Sequence, residues 1–104
     1  MERLSVVWTA TALEQRNYIF DYWNIRNKSK SYSQKINAKA KSRIRLLKTN
    51  PNMGVQTEIE GIRVLSVGHF SIPYKRLDSK IVIMAFWDSR QDPIKLLAFI
   101  KKRK

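Results

Sequence analysis

Residues 61–74 read Gly61-Ile62-Arg63-Val64-Leu65-Ser66-Val67-Gly68-His69-Phe70-Ser71-Ile72-Pro73-Tyr74. In Ile62 to Val67 the side chains alternate, with Arg63, Leu65 and Val67 on one side and Ile62, Val64 and Ser66 on the other. Gly68 marks a turn, and Phe70, Ile72 and Tyr74 resume at period two, as a half-buried strand requires. Two strands joined by a tight turn follow from this pattern, and Pro73 predicts an edge or a bulge in the second. Leu77-Asp78-Ser79-Lys80 is a further turn. Ile81 to Trp87 is continuously apolar, which predicts a central strand buried on both faces. Asp92 then caps a short last helix with Pro93 in its first turn, carrying Leu96, Leu97, Phe99 and Ile100.

Upstream of this strand half the period changes. Leu4 to Trp8 is short, apolar and β-branched, which predicts a strand. Thr9 can cap a helix over Ala10 to Arg26, with Ala12, Ile19 and Trp23 beside Leu13 and Phe20 as its apolar stripe. Ser29 or Ser31 can cap a second helix running to about Lys48, with Tyr32, Ile36, Ala40, Ile44 and Leu47 at spacings of three and four. Pro51 disfavours helical geometry at Asn50, and Thr49 to Gly54 ends the helix. The expected fold is α+β and a single domain over residues 1–104: an N-terminal strand, then an α-hairpin packed on a small, mostly antiparallel sheet (β-α-α-β-β-β), with a short C-terminal helix.

The chain carries 21 basic and 8 acidic residues, a formal charge of +13 over 104 residues. Nine of the basic residues lie between Asp21 and Glu58 with no acid among them: Arg26, Lys28, Lys30, Lys35, Lys39, Lys41, Arg43, Arg45 and Lys48. A field of this size attracts polyanions, so a phosphate-bearing or acidic partner is expected. With 43% hydrophobic residues the chain is a folding sequence and not a disordered basic tail. There is no cysteine and a single histidine, so disulfides, thiolate sites and a histidine-built zinc site are excluded. No cofactor is expected. No apolar run is long enough to span a membrane, and the N-terminus lacks a signal-peptide core, so a cytoplasmic protein without membrane attachment is expected.

Candidate chemistry gathers in the strand half. Arg63 is the only charge within its strand and could clamp a phosphate, or pair with Glu58, Glu60 or Asp88. Tyr74 could stack on a base or supply a hydroxyl, or simply edge the core. Arg90 could stabilise charge on a phosphoryl oxygen, or bond to Asp88. Adjacent antiparallel strands could bring these three to one face. His69 would be the general base for RNA cleavage, or only a turn residue. A metal-free basic domain could cut RNA through the substrate's own 2′-hydroxyl by orienting it and neutralising the phosphate. Lys28, Lys30, Lys35, Lys39 and Arg43 are expected to bind the RNA backbone, in sum and not singly.

From Val6 to Leu97 the chain resembles the RelE/ParE superfamily of type II toxin–antitoxin toxins. The resemblance rests on Val7-Trp8-Thr9, Tyr22-Trp23-Asn24, Ser31-Tyr32-Ser33 and Pro51-Asn52-Met53-Gly54. In the strand half it rests on Gly61-Ile62-Arg63-Val64, Val67-Gly68, Tyr74 and the run from Ile81 to Pro93. The resemblance implies a growth-inhibiting toxin silenced in a hetero-oligomer by its cognate antitoxin. RelE-like members cleave mRNA on the ribosome without a metal, and ParE-like members poison DNA gyrase. By this likeness Arg63, Arg90 and Tyr74 match the family's functional arginines and aromatic. Leu96, Phe99 and Ile100 could receive an antitoxin helix, or close the core. Many nuclease members carry a His or Tyr near the end of the last strand, where this chain has Trp87 and Asp88. Ribosome-dependent mRNA cleavage is the leading expectation. Gyrase inhibition and a non-toxic nucleic-acid-binding domain are the alternatives.

Overall fold

Thr9 opens the first helix as its sequence predicts. Its backbone is extended, and its Oγ1 accepts a hydrogen bond from the Ala12 N–H at 3.1 Å. The computed structural model describes residues 4–90 and 93–103. It contains β1 (Ser5–Trp8), α1 (Ala10–Asn27), α2 (Ser31–Leu46), β2 (Val55–Gln56), β3 (Ile62–Val67), β4 (Phe70–Leu77), β5 (Lys80–Ile83), β6 (Trp87–Asp88) and α3 (Pro93–Arg103). The sheet runs β1-β5-β4-β3-β2, with β6 also paired to β4. Only β1 and β5 run parallel; the other pairs are antiparallel. This is the α+β architecture expected from the alternation.

The two helices of the hairpin cover one sheet face. Ala12 of α1 and Ile36, Ala40 and Ile44 of α2 pack on Leu65, Phe70, Ile72, Tyr74, Ile81 and Ile83. The opposite face holds a smaller cluster in which Ile100 of α3 meets Ile59, Ile62 and Met84, with Leu96 and Phe99 half-buried against it. Both faces are covered along the middle of the sheet, which is why Ile81 to Ile83 of β5, between β1 and β4, reads as apolar sequence.

Several boundaries differ from expectation. The apolar run Ile81 to Trp87 is not one strand. It breaks at Met84 to Phe86, and β6 takes up pairing with β4 at Phe70 and Ser71. The break is satisfied elsewhere: Met84 N–H donates to the Pro73 carbonyl, Thr9 Oγ1 donates to the Met84 carbonyl, and Phe86 N–H donates to Gln15 Oε1. Pro73 sits inside a central strand because its side without an N–H faces this interruption. The short edge strand β2 has no sequence counterpart. Helix α2 ends at Leu46, about two residues early, and its N-cap position is Lys30, with no side-chain cap bond. Ser29 instead accepts the Ser31 N–H. Lys28 ends α1 in the left-handed region at φ 52°. The expected cap Asp92 lies outside the described residues.

Candidate functional site

The residues singled out in the sequence fall at two opposite ends of the sheet. Arg63 lies across from Tyr74, whereas the tip that holds His69 lies beyond the pair Val67–Phe70. Four residues of β3 separate the two ends, roughly 13 Å at strand rise. Arg90 follows β6, which pairs with Phe70 and Ser71, so it shares the His69 end. The structure therefore brings Arg63 to Tyr74 and Arg90 to the His69 end, but it does not gather all of them in one site.

At the first end Tyr74 is 1% exposed. Its hydroxyl donates to the Pro51 carbonyl and accepts the Gly54 N–H, both at 2.8 Å. Burial raises the phenol pKa above its ordinary value, against the opposing effects of the Gly54 bond and the Arg63 charge. A buried, neutral hydroxyl with both bonds made inside the protein is in no position to act on a substrate. Gly54 has to approach this closely: a Cβ there would stand 2.6 Å from Tyr74 Cε1 and 2.9 Å from the Val64 carbonyl oxygen. Arg63 completes the arrangement. Its Nη1 donates to the carbonyls of Gly54 at 2.8 Å and Asn52 at 3.2 Å, and not to Glu58, Glu60 or Asp88. Tyr74 and Arg63 thus latch the 51–54 turn onto the sheet.

At the second end Arg90 forms a bidentate pair with Asp88, Nε to Oδ1 at 2.9 Å and Nη2 to Oδ2 at 2.7 Å. The Arg90 backbone N–H also donates to Oδ1. The side-chain bond to Arg90 is the main reason the Asp88 carboxyl titrates below its ordinary range, and the same bond raises the guanidinium pKa. The Arg90 guanidinium carbon lies 5.5 Å from the Trp23 ring centre, and that of Arg26 lies 5.6 Å from it. A depression of about 440 Å3 opens beside them, lined by Tyr18, Tyr22, Trp23, Arg26, Asp88 and Arg90. His69 is an exposed turn residue whose carbonyl accepts the Ser89 N–H at 2.7 Å.

Lys28, Lys30, Lys35, Lys39 and Arg43 are all exposed on the helical hairpin. Leu96, Phe99 and Ile100 do not form an open groove: Ile100 is fully buried and the other two close the core around it. Exposed apolar side chains cluster on α1, of which sequence reading drew only on Tyr22, within a family motif; Val55 and Leu77 are exposed elsewhere. Tyr18, Tyr22 and Ile25 are 75%, 48% and 79% exposed. They recur at spacings of four and three on the flank away from Ala12, and the Tyr22 ring packs edge-on against Trp23. A second apolar stripe on one helix is the signal that could have found them. Among the described residues no group of three or more His, Asp or Glu lies close enough together to hold a metal, and no helix is long and apolar enough to cross a membrane.

A strand, an α-hairpin and a mostly antiparallel sheet with a surplus of positive charge make an α+β fold that different functions can share, so the family has to come from sequence. The profile described as the ParE toxin of the type II toxin–antitoxin system parDE matches residues 6–93. The chain belongs to that family, and it is a toxin of a type II toxin–antitoxin module. Among solved structures, one titled "Chromosomal ParDE TA system from P. aeruginosa" is similar over 83% of this chain and 96% of that chain. It has 21% sequence identity and a TM-score of 0.70, which speaks to the fold. No curated protein matches the chain.

Proposed function

We propose that this toxin stops growth by binding DNA gyrase, and not by cutting mRNA on the ribosome. One observation carries the reading. The two arginines and the tyrosine that a metal-free ribonuclease would use are already bonded within the fold: Tyr74 and Arg63 to the 51–54 turn, Arg90 to Asp88. His69 stands with Arg90 at one end, and Arg63 and Tyr74 stand at the other. RNA cleavage needs a proton acceptor, a phosphate clamp and an aligned 2′-hydroxyl within hydrogen-bond reach of one another. A poison that acts by binding needs only a surface. The exposed Tyr18, Tyr22 and Ile25, beside Trp23, Arg26 and Arg90, have the aromatic and arginine chemistry of a protein-binding hot spot. The family name supports the same direction. The cognate antitoxin is an acidic chain that neutralises the basic hairpin in a hetero-oligomer.

Pulse labelling after induction in a bacterium tests the mechanism. Thymidine incorporation should fall before methionine incorporation, with filamentation and induction of the DNA-damage response. Early loss of methionine incorporation, with mRNA cut inside codons, would instead establish the ribosomal reading.

A further inference from the structure

A second surface is built from a row of like charges on α2. Lys35, Lys39 and Arg43 recur every four residues on one flank of α2, and all three are exposed. Successive members stand about 6 Å apart along the helix axis. Like charges at this spacing repel and weaken a helix. Helix α2 contains no acid to offset them, and the only ion pair among the described residues is Arg90–Asp88. Lys39 and Arg43 of this row border an open cleft of about 490 Å3 between α2 and the β3–β4 turn, and Lys35 continues the row one turn beyond it. Lys39, Ser42 and Arg43 form one wall, and Ser66 and Gly68 form part of the other.

We propose that this cleft holds the sugar–phosphate backbone of duplex DNA without reading its sequence. Ammonium, guanidinium and hydroxyl groups are the donors that meet phosphate oxygens in such contacts. No aromatic side chain lines the cleft, so it offers no platform for the bases of a single strand. Lys39 and Arg43 carry the charge of the cleft, while Ala38, Val67 and the side-chain stems give it apolar surface as well, so it is the charge that selects a polyanion. From Lys35 to Arg43 the row extends about 12 Å, a distance that one strand of a duplex crosses with about three phosphates. The choice of DNA over RNA rests on the gyrase reading, because a poison of a DNA-bound enzyme works beside its DNA. The protein target would then be held by α1 and the DNA by α2.

The test is fluorescence anisotropy of the purified toxin with a short labelled duplex across a salt series. Lys35→Ala, Lys39→Ala and Arg43→Ala combined should flatten the slope of log affinity against log salt by about 2.7, at about 0.9 per phosphate contact. The control combines Lys41→Ala, Arg45→Ala and Lys95→Ala, which removes the same charge from other exposed positions, and it should stay near the parent slope. Equal losses in both variants would reduce the effect to net charge and overturn the cleft. So would an unchanged slope in the first variant. Tighter binding of an RNA duplex through the same three residues would overturn the choice of DNA. Loss of antitoxin binding alone, with DNA binding intact, would make the cleft a protein site. Supercoiling assays with gyrase separate the two proposals. Parent toxin that binds DNA through the cleft yet leaves gyrase active supports the cleft and overturns the gyrase reading. Toxin that inhibits gyrase but shows no cleft-dependent DNA binding does the reverse.

Discussion

Replacing Tyr74 by Phe separates a structural tyrosine from a functional one. The ring stays in a site that is 1% exposed, and only the hydroxyl is lost. Two hydrogen bonds go with it, one to the Pro51 carbonyl and one from the Gly54 N–H. The Gly54 N–H is buried and would be left without an acceptor, at a cost of about 1–3 kcal/mol. The Pro51 carbonyl is only half-buried, so water can replace part of what it loses. A net loss of about 2 kcal/mol follows, which for a chain of this length lowers the thermal midpoint by roughly 10 °C. Circular dichroism melts and denaturant titration would measure it. Below its midpoint the variant should remain toxic, because the hydroxyl touches nothing outside the protein. The alkaline limb gives a second readout. Burial holds the Tyr74 pKa above its ordinary 10.0 in the fold. Its contribution to stability is therefore complete below pH 10.0 and is lost as pH rises through the higher folded value. Tyr74→Phe should lack that component of alkaline unfolding. A variant within about 0.5 kcal/mol of the parent that has lost toxicity would refute the latch and return the hydroxyl to the chemistry.

Two further substitutions probe the other end of the sheet and the α1 surface. The Asp88 carboxyl is held below its ordinary 3.8, chiefly by the side-chain bond to Arg90. Its contribution is thus present above pH 3.8 and lost as pH falls through the lower folded value. Asp88→Asn should remove that acid-sensitive component from melts recorded between pH 5 and pH 3. The effect should stay under about 1 kcal/mol, because Arg90 is half exposed to solvent. Tyr18→Ala with Ile25→Ala should shift the melting midpoint little, since both side chains are largely exposed. Each should weaken target binding about tenfold, read as recovery of plating after induction. Full toxicity in the double variant would remove α1 from the contact.

What the sequence revealed, and what it hid, follows from the range of each interaction. The period-two alternation of Ile62 to Val67 and Phe70 to Tyr74, the Thr9 cap and the three-and-four spacing of Ile36, Ala40, Ile44 and Leu47 are local. Each leaves a mark within one element. The Arg90–Asp88 pair spans two residues, and it was already an open alternative for Arg90. The latch left no mark, because its partners are the backbone groups of Pro51, Asn52 and Gly54, and any residue type supplies a carbonyl. The break in the run from Ile81 to Trp87 was hidden for the same reason. Its orphaned groups are met by Thr9 and by Gln15, 71 residues before Phe86. Residue type alone marked Arg63 and Tyr74 as candidates for chemistry, but the direction in which a side chain points decides whether it meets substrate or its own chain.

The charge of +13 acts on folding and on binding in opposite senses. Like charges along α2 repel within the fold, so screening by salt relieves the folded state. The same salt weakens any polyanion held on that helix, because bound counterions no longer gain as much by leaving. An acidic partner would resolve the conflict without salt, because negative charge placed along α2 relieves the repulsion there. A partner that binds the folded toxin and not the unfolded chain stabilises it by mass action.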